Sequence, residues 1–351
     1  LEFRRVLFRS GEVDEDGGVE CALRLPAHGP LPPPPDLSAL LYWASPPVIT
    51  LVAAILCVGW LAAVRRIDTA HPQNRVPPKR TAAFLGAMVL LLVALQSGLE
   101  RYDTTLFSAH MVQHLLLLFP IPILLLRAGP MTLLLRLAAP RWRARLLAVL
   151  ESRVIGVLGH PLVAWITFVV VLWATHLSPL FDLALEEPLV HDLEHALYLG
   201  SALLFWAPLV ATDPVRHRLS RAGALGYLIT QMPQSSFLGV AIMWAPAPLY
   251  GHYATLARNW GPTPLEDQQL AGAIMWLAGD ALFLVAIFAV LAVWARAEER
   301  GGSRYDLAQV DVATAEIRRR EIALAERLRN ERVGTEERRT SERRASEPRE
   351  S

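Results

Sequence analysis

Cysteine is nearly absent from this chain: 351 residues hold two, Cys21 and Cys57, with no CxxC or comparable pair. That excludes a thiolate metal cage or a thiol redox site within the chain. Cys57 lies in an apolar run and reads as a small buried residue. Lysine occurs once, at Lys79, so the basic charge is almost entirely arginine; this reads as genome base composition, not function. Charged residues make up 19% and the net charge is only +1. The charges are confined to loops and a tail, and no nucleic-acid partner is expected. Apolar residues dominate instead, at 53%, with a mean hydropathy of +0.32. They come in runs too long for an ordinary soluble protein.

These runs predict an all-α, polytopic membrane helix bundle with about seven transmembrane helices. The spans fall near 47–64, 81–99, 105–126, 156–176, 189–210, 222–245 and 268–294. Residues 1–45 form a segment ahead of the membrane domain, which covers 46–295, and residues 296–351 form a charged tail. The opening LEFRRVLFRS reads as translated adapter sequence rather than part of the fold. Pro32 to Pro35 make a stiff, extended lead-in.

The loops alternate in charge. The first carries Arg65, Arg66, Arg75, Lys79 and Arg80, the third six arginines from Arg127 to Arg153, and the fifth Arg216, Arg218 and Arg221. The loops between them are neutral or acidic, with Asp182, Glu186 and Glu187 in the fourth. The positive-inside rule then sets the N-terminus outside and the C-terminus in the cytoplasm. Residues 131–150 mix arginine with leucine and are expected along the inner interface. In the tail, residues 306–332 carry a seven-residue apolar spacing and read as a solvated helix. Leu, Val and Ala on the outward faces suit membrane lipid and permit a homodimer.

Against this background five histidines stand out: His110, His114, His176, His191 and His195. They lie on three spans, and the orientation puts all five near the outer side. Imidazoles are costly in lipid, so a group at one depth points to a bound metal or cofactor. His110/His114 and His191/His195 are each spaced i,i+4, which places both rings on one helix face about 6 Å apart along the axis. Such a pair can hold one ion or pass it along. His114 and His195 lie deepest.

Several neighbours fit a supporting role. Gln113 precedes His114, Asp192 and Glu194 flank the second pair, and Asp182 sits between His176 and His191. A carboxylate can orient a ligating imidazole and raise its basicity. Met243 and Met275 lie toward the outer ends of their spans, and thioether with imidazole suits Cu(I). His71, His160 and His217 belong to the inner side, while His28 and His252 are outside and offer a weak entrance site. Two other chemistries remain open. His191-Asp192-Leu193-Glu194-His195 matches the H-x-x-E-H pattern of zinc peptidases. Rings from two helices could instead ligate haem, as in a membrane electron-transfer protein.

Longer blocks carry a family resemblance. HGPLPPPP precedes the first span, and SAHMVQHLLLLFPIPILLL fills the third. VHDLEHALYLG opens the fifth, and MPQSSFLGVAIMWAPAPLYGHYA and LEDQQLAGAIMWLAGD follow. Together, from about His28 to Trp294, they resemble the CtaG family of bacterial cytochrome c oxidase assembly factors. The resemblance implies seven spans and a link to copper insertion into the haem–copper oxidase, with cytochrome c oxidase subunits as partners. The expectation built on it is a non-enzymatic factor that binds copper, with Cu(I) the form that thioether and imidazole suit. The carry-over of the resemblance falls on the same five histidines; Met243, Met275 and Asp182 remain secondary candidates from their positions in the sequence.

Overall fold

The computed structural model describes residues 31–36, 42–43, 47–299 and 319; there is no strand among them. The opening ten residues, Cys21 and His28 lie outside the described residues, as does the expected tail helix over 306–332 apart from Arg319. Residues 31–36 are neither helix nor strand. Pro33 there accepts a hydrogen bond from the Tyr102 hydroxyl at 2.9 Å.

The helices are α1 Val48–Ala70, α2 Pro78–Gln96, α3 Gly98–Tyr102, α4 Phe107–Leu118 and α5 Pro120–Ala128. Then come α6 Pro130–Leu137, α7 Pro140–Leu150, α8 Arg153–Leu158, α9 Pro161–His176 and α10 Leu180–Glu186. The last are α11 Pro188–Val210, α12 Arg221–Met243, α13 Gly251–Thr255 and α14 Pro264–Ala273, which runs into a π turn, Ile274–Ala278. Leu1–Leu284 is one compact unit and Val285–Ser351 another. In the second, the described residues 285–299 are helical.

Proline decides where many helices begin. Pro78, Pro120, Pro130, Pro140, Pro161, Pro188 and Pro264 each stand in the first turn. There the ring's fixed φ suits the helix, and the missing N–H has no intrahelical partner to lose. This divides segments that hydropathy alone reads as continuous. The predicted span over 105–126 is two helices, α4 and α5, parted at Phe119 before Pro120. The helical run then continues past Gly129, whose φ of 70° only glycine adopts readily. The predicted span over 156–176 starts at Pro161, after a break at Gly159 and His160.

Among the described residues five helical stretches are long and apolar enough to cross a membrane: Val48–Ala70, Pro78–Tyr102, Phe107–Leu137, Pro188–Val210 and Pro264–Glu299. A sixth is added if α9 and α10, bent by 69°, count as one span. Helix α12 has the length, 23 residues, but Thr230, Gln231, Gln234, Ser235 and Ser236 dilute its apolar character. This is the make-up of a multi-pass membrane protein. Its outer faces agree: Ile55, Val58, Ile229 and Phe237 are each more than half exposed, a surface that lipid solvates and water does not.

Packing places α11 at the centre, against α9, α4 and α5. Phe205 stacks on Phe168 and on Tyr227, with ring centroids 4.5 and 4.7 Å apart. The Trp206 N–H donates to the Leu118 carbonyl at 2.8 Å. To one side, Trp60 of α1 stacks on Phe84 of α2 at 4.2 Å. To the other, α12 and α14 touch backbone to backbone. A Cβ at Gly272 would lie 2.6 Å from the Met243 nitrogen, and one at Gly239 2.9 Å from the Trp276 nitrogen. Small residues at such a crossing let dispersion hold helices together where lipid supplies no hydrophobic drive.

Two carboxylates tie the two ends of the bundle. Asp267 of α14, 1% exposed, accepts from the Phe107 N–H at 2.7 Å and the Ser108 hydroxyl at 2.6 Å. It thereby satisfies the free N–H groups at the start of α4 and complements that helix's dipole. Its neighbour Gln268 accepts from Leu249 N–H at 2.7 Å and donates to the Ile242 carbonyl at 3.2 Å. At the opposite end Asp213 accepts from Met131 N–H, Thr132 N–H and the Thr132 hydroxyl at 3.0, 2.6 and 2.6 Å, capping α6 in the same way.

Candidate metal centre

Anchoring α4 at Asp267 fixes the first histidine pair. His110 and His114 follow Phe107 on one face of the helix, and both are buried. Their Nε2 atoms approach to 2.7 Å and their ring centroids to 4.1 Å. Helix α11 presents the second pair. There the helical period buries His191, Glu194, His195 and Tyr198 on one face and leaves Asp192 exposed. The His191 and His195 rings are 4.2 Å apart. His110 lies 5.2 Å from His191 and 6.2 Å from His195, and His114 lies 5.7 Å from His195. His176, on the last turn of α9, joins through His114 at 6.0 Å. The structure thus brings all five predicted histidines into one chain of ring contacts, each ring no more than 6% exposed.

Tyrosines and an apolar cap enclose the group. Phe181 of α10 packs 5.1 Å from His110 and 5.4 Å from His176. Tyr250 donates to the His176 carbonyl at 3.1 Å. Tyr198 lies against His114 at 4.3 Å and hydrogen-bonds Thr175. Tyr253 donates to the Asp103 carbonyl at 2.5 Å. Burial pushes the Tyr253 phenol well above its ordinary range, so the donor proton stays in place.

These partners choose the imidazole tautomers. The Leu172 carbonyl, 2.8 Å from His176 Nδ1, accepts its N–H, which leaves the lone pair on Nε2. Tyr253's oxygen, 3.4 Å from His110 Nδ1, selects the same tautomer there. In both rings Nε2 is then the nitrogen that could hold an ion, set by a protein acceptor on the other side. His114 Nδ1, His176 Nε2, His195 Nε2 and both Glu194 carboxylate oxygens are buried without a hydrogen-bond partner. Glu194 Oε2 lies 3.8 Å from His110 Nε2.

Ligand atoms of His110, His114 and His195 all lie within 4.8 Å of one another, as do those of His110, His191 and Glu194. A tetrahedral ion with bonds of about 2.0–2.1 Å holds its ligand atoms roughly 3.4 Å apart. The triads are of the right size after small ring rotations. Neutral imidazoles suit copper, zinc and iron, and buried lone pairs without partners are what such an ion would satisfy.

The secondary candidates sit elsewhere in the packing. Asp182 accepts from Gly251 N–H at 3.2 Å and His252 N–H at 3.1 Å, tying α10 to α13. Met243 stands at the close crossing with Gly272, and Met275 is buried in the π turn. His252, expected at an entrance, bonds the Thr104 carbonyl through Nε2 at 2.9 Å.

Comparison with known proteins bears on the whole of this region. The model of the cytochrome c oxidase caa3 assembly factor family (Caa3_CtaG) matches residues 58–297, including all five histidines. The chain belongs to this family. Among curated proteins the chain is 31% identical over 288 residues to Uncharacterized protein Mb0105 of Mycobacterium bovis and to Uncharacterized protein MT0111 of Mycobacterium tuberculosis. It is 30% identical over 285 residues to Uncharacterized protein ML1998 of Mycobacterium leprae. Each match covers 79% of the chain and 43% of the relative, so the chain spans less than half the length of these relatives. No solved structure matches it.

The contacts around the cluster include groups that periodicity did not reveal: Asp103, Thr175, Tyr198, Tyr250 and Tyr253. Tyr198 had a signal, standing three residues after His195 on the same helix face. Asp103 and Tyr253 had none, because their contact joins positions 150 residues apart. Burial pushes the Asp103 carboxyl well above the ordinary carboxylate range, and Glu100 beside it adds to the shift.

Proposed function

We propose that this chain is a non-enzymatic assembly factor that takes copper, as Cu(I), into its buried histidine cluster and hands it to a cytochrome c oxidase. The observation that carries the reading is the triad His110, His114 and His195. Its ligand atoms converge within 4.8 Å in a membrane-protein interior, where unpaired imidazoles are costly. His176 and His191 extend it on either side. Copper is cargo here, so a run of two- and three-ligand positions suits the task better than one closed four-ligand cage. Each imidazole must be neutral to ligate, so acid weakens the hold.

The reading takes the membrane domain as seven spans, with α12 as the sixth, and sets the N-terminus outside the plasma membrane and the C-terminus in the cytoplasm. The alternation of arginine-rich with neutral or acidic loops supports this. The histidine end then opens outward.

The test is made in the host. His114→Ala replaces the wild-type gene, and copper and haem are quantified in the purified oxidase. The expected result is oxidase with reduced copper per haem. Oxidase with full copper would contradict the delivery role. A haem absorbance band from the purified assembly factor itself would favour the electron-transfer alternative.

A further inference from the structure

A third set of ligand atoms lies beside the imidazole cluster: Glu100, Asp103 and His191, all within 4.8 Å of one another. Its composition differs from the deeper set, with two carboxylates and one imidazole. Asp103 is 2% exposed, and its Oδ2 atom has no hydrogen-bond partner. That atom faces His191 Nε2 at 3.7 Å. Its other oxygen accepts from the Thr104 N–H at 2.5 Å, which fixes the direction of the carboxyl. Glu100 is held by Gln113 Nε2, donating at 2.8 Å, while the same amide donates to the Ala94 carbonyl at 2.9 Å. Glu100 is half-buried, whereas Asp103 and His191 are buried, so the set runs from the surface inward.

Nearby arginines are engaged elsewhere. The Arg101 guanidinium lies over the Tyr42 ring at 4.5 Å. Arg258 donates to the Thr105 and Pro262 carbonyls at 3.1 and 2.7 Å and pairs with Asp267 at 3.8 Å. Two adjacent carboxylates in such a place are stable as anions only beside positive charge.

We propose that Glu100, Asp103 and His191 form a second metal site, selective for a divalent cation, at the mouth of the histidine cluster. Charge matching separates the two sites. Two carboxylates balance a dication. The deeper His110, His114 and His195 are neutral as ligands, with Glu194 as the carboxylate beside them among the described residues, and this balances a monovalent ion. His191 belongs to both surroundings, 5.2 Å from His110 and 4.2 Å from His195 between ring centroids. The outer site stands on its own geometry. Its use as a receiving station for the deeper one rests on the copper-carrying role proposed above.

The test is Mn(II) titration of the detergent-purified full chain, followed by electron paramagnetic resonance. Mn(II) favours carboxylate donors over neutral imidazoles alone. Three proteins are compared: wild type, Glu100→Gln/Asp103→Asn and His114→Ala/His195→Ala. Wild type should hold one Mn(II) per chain. The carboxamide variant, which keeps side-chain size and the Thr104 and Gln113 contacts, should bind at least about tenfold more weakly. The histidine variant should bind Mn(II) as wild type does. Glu100→Gln alone, at the half-buried position, repeats the test with little risk to folding and should also weaken binding. Wild type without Mn(II), or Mn(II) affinity unchanged in both carboxamide variants, overturns the proposal. Cu(I) loading is measured in parallel: its absence in wild type overturns the copper reading alone, since Mn(II) reports only on the outer site.

Discussion

The two ends of this bundle are built with the same device and finished differently. At each, one aspartate receives the free N–H groups of a helix start: Asp267 for α4, Asp213 for α6. Each end also has histidines from distant parts of the chain in contact. At the arginine end, His160 and His217 lie 5.3 Å apart; both are exposed, and His160 Nδ1 accepts from the Leu162 N–H at 3.3 Å as a helix cap. At the histidine end the rings are buried, and His114, His176 and His195 each keep a nitrogen without a partner. Proximity of histidines is therefore shared by the two ends. What differs is a buried lone pair that the fold orients and leaves unsatisfied.

The comparison can be broken or sharpened by substitution at either end. The largest effect is expected from Asp267→Ala. It strands the N–H groups of Phe107 and Ser108 and removes Arg258's buried partner, costing about 3–5 kcal/mol. Unfolding in detergent would show it, together with weaker copper binding as α4 shifts; a loss below ~1 kcal/mol would show that the anchor is dispensable. Next is Gly272→Ala, where the new methyl meets Met243 backbone and overpacking costs about 1–3 kcal/mol. Gly200→Ala, which meets nothing within 4 Å, is its control and should stay within about 0.5 kcal/mol.

Asp213→Ala removes the cap of α6 and should cost about 1–2 kcal/mol with copper stoichiometry unchanged. Copper lost along with stability in this variant would mean that the two ends are coupled. The smallest effect belongs to His217→Ala: stability within about 0.5 kcal/mol of wild type and copper content equal to it. Any fall in copper there would make the arginine end part of the site.

Much of this was legible in the sequence, and what was not has a physical cause. The i,i+4 spacing gave both histidine pairs because helix geometry is local, and the apolar runs gave the helices for the same reason. Proline outweighs hydropathy in two places: it breaks the third predicted span internally at Pro120 and sets the start of α9 at Pro161 rather than near residue 156. Helix α1 runs through Arg65 and Arg66 to Ala70, beyond the expected end at residue 64, because arginine is a good helix former. Asp182 read as a neighbour of the histidines from its place between His176 and His191, yet its oxygens are taken by backbone N–H groups of α13. Only tertiary contact reveals such a partner. The DQQ run resembled the family motif without a reason; the structure supplies one, since Asp267 and Gln268 clamp α4 and the segment after α12.

The most direct test of the central claim is the copper content of detergent-purified protein loaded with Cu(I), wild type beside His114→Ala/His195→Ala, with the optical spectrum recorded on the same samples. The account predicts copper bound by wild type without a haem band, and copper lost in the double variant while its unfolding temperature stays close to that of wild type. Equal copper in the two proteins, or none in either, would contradict it.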